Sequence, residues 1–139
     1  MVINRKWISL FVVGLLVSLI GSASCSQQSA ELTVNESSNN KTVRITEGSS
    51  LKVVLNSNRT TGFTWELTQN DNTILQKLNN TYENPKTDSG APLVGAGGSE
   101  IWNFKALKKG TNTLKMEYNQ PWNGGTKGAE LFNLTVNVE

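Results

Sequence analysis

The chain has 139 residues, no histidine and one cysteine, and its 13 basic and 11 acidic residues give a formal net charge of +2. The lack of histidine excludes Ser-His and Cys-His nucleophile pairs, imidazole general bases and histidine-ligated zinc, and a single cysteine excludes an intrachain disulfide. No like-charge run is longer than Lys108-Lys109, so the sequence also lacks the basic stripe that is typical of a nucleic-acid binder.

The first 24 residues have the pattern of an export signal. Arg5 and Lys6 form a positive start, an apolar run follows from residue 8 to residue 20, and small residues precede Cys25. The run is shorter than the roughly 20 residues that a transmembrane helix needs. We therefore predict a cleaved signal peptide over residues 1–24 and a mature domain over residues 25–139. Cleavage removes both leader cations, which leaves the mature part without net charge.

Cys25 directly follows the small residues and resembles the lipid-modified cysteine of bacterial lipoproteins, with residues 22–25 as a loose lipobox. The resemblance implies a cell-envelope lipoprotein whose membrane contact is a lipid on Cys25. The alternative is simple secretion, to the periplasm or the medium, with no special role for Cys25. Both alternatives predict an exported protein.

From residue 31 onward the apolar residues alternate with polar ones, which is the period of half-buried strands. About 114 mature residues suffice for one domain, and turn signals every 8 to 14 residues favour an immunoglobulin-like antiparallel β-sandwich of seven or eight strands. A closed barrel is the alternative. The alternating sets are Leu32 and Val34; Val43 and Ile45; Leu51, Val53 and Leu55; Phe63, Trp65 and Leu67; Trp102, Phe104 and Ala106; Leu114, Met116 and Tyr118; and Phe132, Leu134, Val136 and Val138.

The segment from Ile74 to Tyr82 also suits a short helix, because its apolar residues do not alternate strictly. We predict a strand here, since Thr81 and the pair Asn79-Asn80 are poor helix formers.

The acidic residues are scattered, and we expect them on solvated strand faces, as for Glu66 and Glu100. The glycines at 95–98 lack the Lys-Ser/Thr pair and helix of a phosphate-binding loop. The sequence therefore predicts no catalytic residues, no metal, no cofactor and no enzyme activity.

Three turn-rich motifs lie between predicted strands. They are Asn58-Arg59-Thr60-Thr61-Gly62-Phe63, Gly95-Ala96-Gly97-Gly98 and Gln120-Pro121-Trp122, and each alone suits an ordinary loop. Trp65 and Trp102 share faces with other apolar residues, so we expect them in the core. Trp122 is surrounded by turn formers, which predicts an exposed indole that could serve as a binding anchor.

Together the three motifs resemble the chagasin-like inhibitors of papain-family cysteine peptidases, over roughly Leu51 to Val138. In that family the first motif is Asn-Pro-Thr-Thr-Gly-Tyr/Phe, the second is Gly-x-Gly-Gly and the third is Arg-Pro-Trp/Phe. Arg59 therefore stands where the family usually has proline, and Gln120 where it has arginine.

The resemblance implies an immunoglobulin-like fold and a reversible protein inhibitor that fills the active-site cleft of a papain-like cysteine peptidase with three loops. It implies a monomer. The charge pattern predicts no nucleic-acid partner, and the long Arg59 cation at the cleft predicts an acidic or open subsite in the target. Losing the arginine at position 120 implies weaker binding. The alternative is a non-inhibitory cell-envelope module that binds carbohydrate or protein through the same loop end. The implied protease-binding residues are Asn58, Arg59, Thr60, Thr61, Gly62, Phe63, Gly95, Ala96, Gly97, Gly98, Gln120, Pro121 and Trp122.

Overall fold

The computed structural model describes residues 29–85, 89–91, 93 and 95–139. The predicted signal peptide over residues 1–24 and the predicted lipidation site Cys25 lie outside the described residues. No helix in the described ranges is long and apolar enough to cross a membrane.

The described residues form β-strands and two single-turn 3-10 helices, at Glu36–Ser38 and Arg59–Thr61. The strands follow the alternation in the sequence, and the segment that also suited a helix is a strand, as predicted. They are β1 (Glu31–Val34), β2 (Lys41–Ile45), β3 (Ser50–Ser57), β4 (Thr64–Gln69), β5 (Leu75–Glu83), β6 (Gly98–Ala106), β7 (Gly110–Asn119) and β8 (Glu130–Val138).

The strands build two four-stranded sheets, in the orders β1-β3-β6-β5 and β2-β8-β7-β4. The predicted sandwich is therefore confirmed, but the sheets are mixed rather than wholly antiparallel, because β1 pairs with β3 and β2 with β8 in parallel. The chain leaves β1 through the 3-10 helix at Glu36–Ser38 and enters the other sheet, so β1 and β2 do not form a hairpin.

The core lies between the two sheets and consists of the alternating apolar residues. Burying each aliphatic or aromatic side chain of this kind stabilises the fold by roughly 1.5–3 kcal/mol. Trp65 and Trp102 are each 4 % exposed, which confirms their predicted place in the core. The side chains with no exposed surface include Leu51, Val53 and Leu55 of β3, Phe104 of β6, Leu114 of β7 and Val136 of β8.

Glu100 corrects a prediction, because it is fully buried rather than on a solvated face. It is in phase with Trp102, Phe104 and Ala106 along β6, and these side chains point into the sandwich. A strand residue two positions from a core residue shares its face, so the pleat of β6 carries the carboxylate inward. Glu66, in contrast, is only half-buried.

The strand register brings three loops to one end of the sandwich. Ser57 at the end of β3 pairs with Gly98 at the start of β6, and Thr64 at the start of β4 pairs with Asn119 at the end of β7. The first loop (residues 58–63), the second loop (84–97) and the third loop (120–129) consequently leave from the same end. The first loop crosses between the sheets, with Gly97 of the second loop near Asn58 and Trp122 of the third loop against Gly62.

Candidate functional site

The first loop is closed by its own hydrogen bonds. Asn58 Oδ1 accepts from Thr60 N at 3.2 Å and from Thr60 Oγ1 at 2.6 Å, which caps the 3-10 helix at Arg59–Thr61. Thr61 Oγ1 donates to the Asn58 carbonyl at 2.6 Å. Gly62 ends the turn at φ +79, where its N–H donates to the Arg59 carbonyl at 3.0 Å. Thr60 and Thr61 thus stand exposed on a backbone that is already folded.

Tyr118 on β7 supports this loop on the side that faces the sandwich core. Its hydroxyl oxygen accepts from Asn58 N at 2.7 Å. Phe63 stacks on the Tyr118 ring at 5.1 Å between centroids, and Trp65 packs against the same ring at 5.2 Å. Phe63 is therefore half-buried against its own protein and supports the loop, while the two threonines form its outer surface.

The third loop lies directly against the first. Trp122 is 49 % exposed, and its indole rests on Gly62 so closely that a Cβ at position 62 would overlap the ring. Gln120 Nε2 donates to the Thr61 carbonyl at 3.2 Å, while Gln120 Oε1 accepts from Thr126 N at 3.0 Å. Gln120 consequently links the first and third loops through its side-chain amide. Pro121 is exposed beside Trp122.

The second loop meets the other side of the first. A Cβ at Gly97 would stand 3.6 Å from Asn58, and Gly98 is the first residue of β6 rather than a loop residue. Gly98 N donates to the Tyr82 hydroxyl oxygen at 3.1 Å, and that hydroxyl donates to the Ser57 carbonyl at 3.3 Å. Gly95 takes a positive φ of 81° and is exposed, and Ala96 is half-buried. The structure thus brings the glycine-rich motif and the threonine motif side by side.

The Glu100 carboxylate lies beneath the first loop and holds both of its ends. Its Oε1 accepts from Ser57 Oγ at 2.8 Å, from Thr64 Oγ1 at 2.9 Å and from Trp65 N at 3.2 Å. Leaving a buried carboxylate without a partner costs several kcal/mol. Arg59 is the cation that reaches it, with Nε 3.8 Å from the same Oε1.

Arg59 turns toward its own protein. Its guanidinium carbon lies 4.5 Å from the centre of the Tyr82 ring, and the side chain is 47 % exposed. Guanidinium groups at this distance from an aromatic face are attracted to it. The cation that the sequence predicted at the target cleft therefore contacts Glu100 and Tyr82 of its own protein, while about half of its side chain stays exposed.

Sequence reasoning missed three residues that support the loops: Tyr82, Glu100 and Tyr118. The two tyrosines appeared only as apolar members of strands, although both lie near a strand end, where a hydroxyl can reach a loop. Glu100 carried a usable signal, since it occupies the core phase of β6 just after the glycine motif.

Comparison with known proteins finds a matching family model and relatives that cover most of the chain. The family model described as "Chagasin family peptidase inhibitor I42" matches residues 44–136, a range that contains all three motifs. Chagasin from Trypanosoma cruzi is 29 % identical over 101 residues, which cover 73 % of this chain and 92 % of chagasin. Amoebiasin-1 from Entamoeba histolytica is 26 % identical over 108 residues, which cover 78 % of this chain and 100 % of the relative.

Among solved structures, the cysteine protease inhibitor EhICP2 from Entamoeba histolytica has a similar fold. It superposes with a TM-score of 0.71 at 24 % identity, over 81 % of this chain and 98 % of that one.

Proposed function

The chain belongs to the chagasin family of peptidase inhibitors, and we propose that it is a reversible inhibitor of papain-like cysteine peptidases. The three loops form the surface that enters the active-site cleft. One observation carries the proposal: the internally hydrogen-bonded turn of the first loop exposes Thr60 and Thr61, with Gly97 of the second loop and Trp122 of the third loop directly beside that turn. The resemblance of all three motifs to the family's inhibitory loops supports a cysteine peptidase as the target class. The similar fold of EhICP2, which is a cysteine protease inhibitor, agrees with this target class.

We expect the first loop to occupy a peptidase cleft without being cut, because three of its carbonyl groups are held by hydrogen bonds within the protein. The Asn58 carbonyl accepts from Thr61, the Arg59 carbonyl accepts from Gly62 N, and the Thr61 carbonyl accepts from Gln120. Cleavage needs a carbonyl that meets the thiolate at attack distance and angle. The carbonyls of Asn58, Arg59 and Thr61 are oriented by these hydrogen bonds and are not free to adopt that geometry.

Trp122 supplies the apolar part of the contact. Tryptophan is enriched among the residues that dominate binding free energy, and an indole that is half exposed on a loop has apolar surface left to bury. Because the ring rests on Gly62, it is held beside Thr60 and Thr61 in the free protein. Little conformational entropy remains to be lost when a partner covers it.

We expect the rest of the interface with the peptidase to depend on shape complementarity between the loops and the cleft. A patch of about 800 Å² per partner is ordinary for protease–inhibitor complexes. Inhibition of this kind requires no chemistry from the inhibitor, in agreement with a sequence that lacks histidine.

The test is inhibition of papain by the purified protein. We expect reversible, active-site-directed inhibition that is lost on deletion of residues 60–62 and strongly weakened by Trp122→Ala. Leu107→Ala is the matched control, because Leu107 is 45 % exposed but lies in the turn between β6 and β7, at the opposite end. Full inhibition by the deletion variant, or no inhibition of several papain-like enzymes by the intact protein, would contradict the proposal. Glycan binding that survives the deletion would indicate the envelope-module alternative.

We also propose that the protein is exported and held at the cell envelope by a lipid on Cys25. The support is the leader pattern of residues 1–24 and the small residues before the cysteine. Mass spectrometry of the mature N-terminus tests it. A diacylglycerol-modified Cys25 is expected, while a free thiol or a start beyond residue 25 would show simple secretion.

A further inference from the structure

Arg59 occupies a position that ties the tip of the first loop to two strands of one sheet. Its Nε lies 3.8 Å from Glu100 Oε1 on β6, and its guanidinium carbon lies 4.5 Å from the Tyr82 ring on β5. The partner carboxylate is fully buried, while the Arg59 side chain is 47 % exposed. The pair therefore joins a fixed core residue to a residue of an exposed loop.

The same carboxylate oxygen also holds the two ends of the loop. Ser57, the last residue of β3, and Thr64, the first residue of β4, both donate side-chain hydroxyls to Glu100 Oε1. Arg59 adds a contact from within the loop. A single core oxygen thus fixes the start, the interior and the end of the segment that carries Thr60 and Thr61.

Tyr82 connects this arrangement to the second loop. Its ring faces Arg59, while its hydroxyl oxygen accepts from Gly98 N and its hydroxyl proton is donated to the Ser57 carbonyl. Moving the Arg59 side chain therefore removes a contact that spans the first loop and the stem of the second.

We propose that Arg59 and Glu100 are a positioning pair that holds the first loop in its binding conformation, as a non-covalent replacement for the ring restraint of proline in the resembled motif. The inference rests on the proposed function for its consequence in binding, but the ordering of the loop belongs to the free protein. Arg59 acts through the loop backbone, and direct contact with the peptidase is not part of its role.

The first measurement needs no peptidase. Amide hydrogen exchange in the free protein reports opening of local structure, and the amides of Thr60, Thr61 and Gly62 are all hydrogen-bonded within the loop. We expect exchange at these amides to be about tenfold faster in Arg59→Ala and in Glu100→Gln, a change of about 1.4 kcal/mol in the opening equilibrium.

The double variant gives the coupling between the two side chains. If they act as one pair, the double variant should exchange no faster than either single variant. Arg59→Lys keeps the charge and should recover part of the protection, which keeps the test decisive if Glu100→Gln folds poorly. Arg44→Ala is the control, because Arg44 pairs with Glu139 at 3.5 Å on the exposed surface and should leave the loop unchanged.

The second measurement separates positioning from contact, by following association and dissociation with papain. A loop that spends less time in its binding conformation lowers the apparent affinity by that fraction, so Arg59→Ala should slow association about tenfold and leave dissociation unchanged. Loss of a direct contact would instead speed dissociation.

Wild-type loop exchange in Arg59→Ala, additive effects in the double variant, or faster dissociation with unchanged exchange would each overturn the positioning pair. An intact protein that inhibits no papain-like enzyme would overturn the proposed function instead, and the exchange data would still decide whether the pair orders the loop.

Discussion

Replacing Gly62 by alanine is expected to abolish most of the inhibition while the sandwich stays folded. Gly62 has φ +79, a left-handed conformation that costs other residues roughly 1–2 kcal/mol. The new Cβ would also overlap the Trp122 indole, which must leave its place on the loop. Displacing a dominant binding residue costs about 2 kcal/mol or more. The inhibition constant should therefore rise about 30-fold or more.

Gly48→Ala separates backbone strain from displacement of the indole. Gly48 has a similar φ of +84, no neighbouring atom lies within 4 Å of its added Cβ, and its turn is at the far end of the sandwich. Both variants should lose about 1–2 kcal/mol of unfolding free energy in urea. Only Gly62→Ala should lose inhibition of papain.

Combining Gly62→Ala with Trp122→Ala tests the mechanism directly. If alanine acts by moving the indole, it should add little once the indole is absent, so the two effects on the inhibition constant will not sum. Additive effects would refute the reasoning, as would a Gly62→Ala variant that inhibits as well as the wild-type protein.

Three further changes probe the supports of the loops and the far end of the fold. Tyr118→Phe keeps the ring but leaves Asn58 N without its acceptor. We expect the free energy of unfolding to fall by about 1–3 kcal/mol and inhibition to weaken. Unchanged values in both assays would contradict this role. Arg59→Pro should weaken inhibition although proline is usual in the resembled motif, because it removes the cation beside the buried Glu100 carboxylate. Adding Glu100→Gln removes the charge and should restore much of the loss; no recovery would count against the explanation. Hydrogen bonds from Thr73 lower the pKa of Asp71, so its contribution to stability should be present above the pKa of the unfolded chain and lost as the pH falls through the folded pKa. Urea unfolding of Asp71→Asn should therefore approach wild type in strongly acidic solution, with inhibition at neutral pH unaffected; a gap that widens on acidification would show the opposite sign.

The strands were predictable because every second residue of a half-buried strand faces the core and is usually apolar. The period-two sets of β3 and β8 gave the elements and the core face, and the prediction of a strand at 74–82 rested on the weak helix propensity of its residues. The parallel pairing of β1 with β3 and of β2 with β8 was not predictable, because alternation gives each strand a face but no neighbour.

The candidate site was predictable only in part. The exposed position expected for Trp122 is present, since a tryptophan among turn formers has no apolar neighbours in sequence to be buried with. Glu100 was missed because its charge suggested solvent, although its phase along β6 indicated the core. Arg59 and Gln120 differ from the resembled motifs, and the sequence suggested that these differences change how the loops bind the target peptidase. In the structure, their side chains contact Glu100 and the Thr61 carbonyl of their own protein.

The amino-acid sequence by itself determined the β class, the core residues, the absence of histidine chemistry and the identity of the three motifs, because these depend on local spacing and on residue type. Only the tertiary structure decided that the motifs meet at one end, that Trp122 rests on Gly62 and that one buried carboxylate holds the first loop. Those contacts join residues that are up to 60 positions apart, and their geometry depends on strand pairing and register, which no short stretch of sequence specifies.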